Sequence, residues 1–166
     1  IGGLMKHIKA MTFITNPIVN SYKRFVPGFE APVHIAWSRK NRTPLIRIPA
    51  DRGGNVRIEL RSPDTAAYPY LALAVCLSAG LDGIRSKIMP PDSIDRMSEE
   101  ELKEAGVEKL PMNLMEACQE FEKDEHIKNV LGNDLVQKYT QAKKKEYEEY
   151  VTQVTEWELN KYLHRI

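Results

Sequence analysis

Downstream of Pro69 the chain is written in helix caps, and upstream of it in short alternating runs, so no fold of a single secondary structure satisfies both halves. Ser98 with Glu101 and Asn113 with Glu116 have capping-box spacing, Gly106 and Gly132 are natural stops, and Asp124 is placed to open a short helix between them. Asn133 is placed to cap a long helix with Val136, Tyr139, Tyr147, Tyr150 and Val154 in one stripe and KKKEYEEY as its charged side. Pro69 opens an earlier helix that should end near Gly80 to Gly83, and its apolar residues run all round, which predicts burial on most sides. Upstream, VHIAWS at 33–38, PLIRI at 44–48 and VRIELR at 56–61 read as strands joined by turn-rich segments, most economically an antiparallel meander. The expected class is α+β: an antiparallel sheet in a strand-rich part, 1–65, followed by a helical part, 66–166. Leu4, Ile8 and Met11 suggest that the chain enters in mid-helix, as a piece of something longer would.

Charge is divided just as unevenly. Residues 1–65 carry eleven Lys or Arg against four acids, a net +7, while the remainder is −6, so the near-neutral total hides a basic half that wants anions. Arg24, Arg42, Arg47, Arg57 and Arg61 lie on or beside the three proposed strands. Arginine grips carboxylate or phosphate through two parallel hydrogen bonds, and several guanidiniums facing one cleft repel each other unless anions join them. In the 56–61 run, Arg57, Glu59 and Arg61 share one face and Val56, Ile58 and Leu60 the other, so Glu59 sits among cations, placed to hold a divalent ion that carries phosphate oxygens. Phosphoryl transfer and RNA binding both fit that pattern. Against RNA, aromatics are not interleaved with the arginines, and against a Gly-rich phosphate cradle, neither GxxxxGK[ST] nor GxGxxG occurs. The longest apolar stretch, 70–81, is too short to cross a bilayer, so no membrane partner is expected. Cys76 and Cys118 stand alone in helical patterns and read as reduced core thiols of a cytoplasmic protein. His7, His34, His126 and His164 show no metal spacing, and Tyr22 and Trp37 fit core or pocket wall equally.

NPIVNSYKRFVPGFEAP at 16–32, WSRKNRTPLIRIP at 37–49 and RIELRSPDTAAYPYLALAVCLSAGLDGI at 57–84 resemble, in order, three signature blocks of type I glutamine synthetases, and the tail ending in WELNKYL is similar too. The resemblance covers the C-terminal portion of the catalytic domain; a β-grasp-like N-terminal domain and the first part of the catalytic domain are absent. It implies an ATP-dependent ligase of nitrogen metabolism that joins ammonium to the γ-carboxyl of L-glutamate through γ-glutamyl phosphate, with Mg²⁺ or Mn²⁺. By the same resemblance Arg24 and Arg61 contact glutamate. Glu30 lies on a flap that closes over the intermediate and takes a proton from ammonium. Arg42 and Arg47, with Arg57, contact nucleotide phosphates, Arg42 acting in catalysis as well, and Glu59 ligates a metal. Arg52 has no assigned role. The family's assembly is a homo-oligomeric double-ring dodecamer whose terminal helix inserts into an opposing subunit. Other metal ligands belong to segments outside this chain, which implies that the 166 residues alone are inactive. Two other readings share the residues: a γ-glutamyl ligase that uses another amine, and a non-catalytic module that binds anions such as RNA.

Overall fold

A computed structural model of the chain describes residues 1–26, 31–40, 44–49, 57–95 and 97–163. Seven helices are described, α1 (Gly2–Thr15), α2 (Pro69–Arg85), α3 (Glu99–Glu104), α4 (Leu114–Lys123), α5 (Glu125–Leu131), α6 (Asn133–Val151) and α7 (Glu156–Tyr162), together with a 3-10 helix (Val19–Arg24). Three two-residue strands, β1 (Trp37–Ser38), β2 (Ile46–Arg47) and β3 (Glu59–Leu60), make a small sheet in that order. The α+β class expected from the sequence is the observed one, but helices dominate it.

The core is built round α1. Ile8, Met11, Phe13 and Ile14 are fully buried, and they meet Val75 and Ala79 of α2, Leu114, Ala117 and Phe121 of α4, and Ile127 of α5. Phe13 lies tilted against Phe121, ring centroids 5.1 Å apart, and edge-on at 5.2 Å to Tyr139 of α6, whose hydroxyl donates to the Phe13 carbonyl at 3.2 Å. A polar pin sits beside this cluster: the buried His7 ring has Nδ1 2.6 Å from Asp124 Oδ2 and Nε2 2.9 Å from Asp82 Oδ2, and stacks on His126 at 4.8 Å. It ties α1 to α2 and to the α4–α5 junction. His7 thus joins helices, and His126 stacks on it. Tyr22 is core, 4% exposed and edge-on to Phe25, whereas Trp37 is half-buried and donates to the Pro91 carbonyl at 2.7 Å.

The caps are where the sequence puts them. Ser98 accepts from the Glu101 N–H at 3.2 Å while its own N–H donates to Glu101, Asn113 accepts from Glu116 N–H at 2.9 Å, and Asp124 accepts from Ile127 N–H at 3.1 Å. At the start of α6 the capping position is Gly132 (φ 78°), with Asn133 already inside the helix.

Three expectations are corrected. The sheet is mixed: β1 pairs with β2 in parallel, Trp37 opposite Ile46, and only β2 and β3 are antiparallel, Arg47 opposite Glu59. The run 33–38 is a strand only at its end. Val33 and Ile35 turn their hydrogen bonds away from the sheet, to Leu110 N–H at 2.9 Å and the Glu108 carbonyl at 2.8 Å. Finally, α2 runs to Arg85 and is buried on one face only, through Val75, Ala79 and Gly83. The Cys76 and Cys118 thiols are free, Cys118 buried and Cys76 half-buried, and burial pushes both up to about 11, as inert core thiols require.

Candidate functional site

The antiparallel ladder sets the site. Because Arg47 faces Glu59 across it, the guanidinium pairs with the carboxylate: Nη2 donates to Oε1 at 3.2 Å, and Nε stands 2.9 Å from Oε2 as an ion-pair contact. Arg57, two residues before Glu59 and so on the same side of the strand, approaches Oε1 at 3.8 Å. Arg57 and Glu59 of the expected row are thus neighbours, and they are joined by a cation from the neighbouring strand. Arg61 continues the pairing one residue past β3, its N–H donating to the Leu45 carbonyl at 2.9 Å.

The chain leaving Arg61 is held from two directions. Arg24, the last residue of the 3-10 helix, reaches the carbonyls of Ser62 and Pro63 at 3.5 and 3.4 Å, while Asp64 N–H donates to the carbonyl of Thr15 at the end of α1 at 2.9 Å. Burial alone would raise the Asp64 carboxyl. Hydrogen bonds from the Ser21 hydroxyl, the Ala66 N–H and the Thr65 hydroxyl, with the Arg24 charge, outweigh it and hold Asp64 below the usual carboxylate range. Arg24 is accordingly a neighbour of the 61–64 segment, and Arg47, Arg57 and Glu59 form one cluster. Glu30, Arg42 and Arg52 lie outside the described residues. Nothing in the sequence marks Ser21 or Asp64, although both stand inside the matching blocks, because a hydroxyl and a carboxylate 43 positions apart show no local pattern.

Arg39 and Lys40 are exposed, but their backbone is anchored. Asp95 Oδ1 accepts from the Ser38 hydroxyl, from Arg39 N–H at 2.7 Å and from Lys40 N–H at 3.3 Å, and Ser93 donates to Oδ2 at 3.1 Å. The Ser38 hydroxyl contributes most to holding the Asp95 carboxyl down at about 2, then Arg39 N–H; burial opposes them, and Ser93 and Lys40 add smaller effects. A depressed folded value means stability that is present above the ordinary 3.8 and lost as pH falls towards about 2. The thermal midpoint of the wild-type chain should therefore drop through that window. That of Asp95→Asn, lower at neutral pH, should be flatter across it; equal slopes would detach Asp95 from acid stability.

A divalent ion finds few donors here. Among the described residues no three His, Cys, Asp or Glu side chains gather to hold a metal, and both oxygens of Glu59 already face guanidiniums. Mg²⁺ asks for near-octahedral oxygen coordination, so one carboxylate engaged by two cations does not fit it unaided. What the cluster suits is anions: Arg47 and Arg57 offer donors beyond those Glu59 uses, and the segment at 61–64 brings Arg24 and Arg61 to the same end of β3.

Comparison with known proteins agrees with this chemistry. Residues 1–162 match the family described as glutamine synthetase, catalytic domain. The glutamine synthetases of Methanococcus voltae and Methanosarcina mazei are 50% and 51% identical over 167 residues, 98% of this chain and 37% of each relative. That of Thermotoga maritima is 49% identical over 168 residues, 99% of this chain and 38% of its own length. Among solved structures, a GmaS/ADP complex superposes with a TM-score of 0.85 at 39% identity, over 98% of this chain and 38% of that one, and apo GmaS with 0.81 at 38%. The chain thus spans little more than a third of the length of the curated relatives it matches. With the family matched from Ile1 to Tyr162, the chain belongs to the glutamine synthetase catalytic-domain family.

Proposed function

We propose that the protein containing this chain is a glutamine synthetase, ligating ammonium to the γ-carboxyl of L-glutamate at the expense of ATP, through γ-glutamyl phosphate. The observation that carries this reading is the cross-strand cluster of Arg47, Arg57 and Glu59, beside the Arg24-braced segment that follows Arg61. Transfer of a phosphoryl group to a carboxylate brings two anions together, so the protein's contribution is mostly neutralisation and alignment. Arg24 and Arg61 would hold the glutamate carboxylates; Arg47 and Arg57, with Arg42, would hold the nucleotide phosphates. Glu30, on a segment flanked by Gly28 and Pro32, would attract ammonium and accept its proton before the amine attacks the acyl phosphate. Glu59 would serve as one ligand of a divalent cation, Mg²⁺ or Mn²⁺, whose other donors lie elsewhere in the whole protein. Such an ion supplies further charge neutralisation on the phosphates.

We place this activity in a cytoplasmic homo-oligomer, a double-ring dodecamer. No described helix is long and apolar enough to cross a membrane, and α7 with its flank leaves Val154, Trp157, Leu159, Tyr162 and Leu163 in solvent, a surface suited to a neighbouring subunit. The likeness to GmaS structures favours a second reading, a γ-glutamyl ligase that shares the glutamate and ATP residues but accepts another amine. Turnover of the whole protein with ATP, glutamate and either ammonium or a panel of amines separates the two. Ammonium should be preferred by at least about tenfold, roughly 1.4 kcal/mol in transition-state binding. Preference for an amine rejects the first reading, and salt-sensitive RNA binding without ligation rejects both.

A further inference from the structure

Helix α2 presents a face that water does not suit. Tyr70, Leu73, Leu77, Leu81 and Ile84 follow spacings of three and four and form one stripe along its outer side, exposed by 87%, 68%, 67%, 38% and 75%. No charged residue occurs between Thr65 and Asp82, so nothing on the first three turns solvates that side. Helix α6 of the same chain shows the contrast: its outer face carries Lys138, Lys145 and Glu149 in exposed ion pairs. Within the stripe Gly80 leaves a gap, since a Cβ there would meet nothing within 4 Å, and the notch can take a side chain from outside. Contiguous apolar surface of this kind on an otherwise charged molecule marks a covered interface.

We propose that this seam is the docking face for the part of the catalytic domain that lies outside this chain. Two observations select that occupant over a second copy. The matched relatives extend well beyond the region aligned here, with this chain covering 37% of their length, so a large further body is available in the same polypeptide. The seam also begins at Tyr70, six residues after Asp64, so a body seated on its first turn lies close in the chain to the Arg24-braced segment. The inference rests on family membership and not on which amine the enzyme uses.

Cysteine labelling tests the proposal directly. Leu77→Cys and, as an always-exposed control, Lys145→Cys are made in the 166-residue chain and in a chimera that carries this chain in place of the aligned region of the Methanococcus voltae glutamine synthetase. Intact mass distinguishes added label from the native thiols. In the chain alone both sites should react at similar rates. In the chimera Leu77→Cys should slow by at least about a hundredfold while Lys145→Cys remains within a few fold, and a cysteine at the aligned position of the intact relative should be protected likewise, which keeps the test decisive if the chimera does not fold. Equal reactivity of the two sites in the longer proteins overturns the proposal. So does protection of Leu77→Cys in the 166-residue chain that rises with its concentration, because a second copy would then be the occupant.

Discussion

Gly3→Ala should cost the chain about 3 kcal/mol of stability, close to the upper end of what one misplaced methyl does in a packed core. At Gly3 a Cβ would stand 2.1 Å from the Ala79 carbonyl oxygen and 2.6 Å from the Gly83 nitrogen. At Gly83 it would stand 2.6 Å from the Gly3 nitrogen and 2.7 Å from its Cα. These are backbone atoms of two helices in direct contact, so no rotamer change relieves the clash and α1 must move off α2. Alanine favours helix over glycine by about 1 kcal/mol, which is too small to compensate. Urea denaturation should show a midpoint lowered by about 1.5 M for either Gly3→Ala or Gly83→Ala, taking about 2 kcal/mol/M for the slope. Gly80→Ala is the internal control. It lies on the same helix, its Cβ meets open space, and it should be neutral or stabilising in the 166-residue chain. If the three variants unfold together, the helices do not cross backbone to backbone, and the placement of Asp64 against Thr15 at the end of α1 loses its foundation.

That crossing was illegible in the sequence for a physical reason. Gly83 reads as a helix stop and Gly3 carries no signal, because nothing local distinguishes a glycine that allows a turn from one that makes room for a helix 80 residues away. Local rules with local causes fared better: the caps at Ser98, Asn113 and Asp124 depend on hydrogen bonds three residues long, and all three are made. Strand direction is not local. Alternation put Arg57 and Glu59 on one face, where they meet, yet whether β1 runs with or against β2 depends on bonds from Ile46 and Ile48 to Ala36 and Ser38, which only the assembled sheet supplies. The outer side of α2 taught the reverse. Periodicity predicted burial because it registers which residues avoid water, and it cannot register that the covering surface is not among the described residues. At the candidate site the residue types and their common face were legible, whereas the partner of Glu59 was not: register alone sets Arg47 against it.

The pairing of Arg47 with Glu59 admits two roles, and magnitudes separate them. In the whole protein, Arg47→Ala should lower kcat by about 10²–10³, the usual consequence of removing one donor aimed at developing charge. Arg47→Lys should restore only part of it, because an ammonium cannot reproduce the two contacts made at 2.9 and 3.2 Å. Stability should hardly change. The two side chains are 27% and 33% exposed, and ion pairs so open to solvent contribute at most about 1 kcal/mol. Glu59→Gln removes the negative charge between two arginines, so it too should depress turnover far more than it lowers the unfolding midpoint. The double variant should lose less than the sum of the two, since both changes disrupt one charge arrangement. A strut would behave in the opposite way, with a drop of several kcal/mol in stability and normal turnover per folded molecule. That result would take Arg47 out of the reaction and leave Arg57 as the only described arginine assigned to the nucleotide phosphates, too few for a triphosphate.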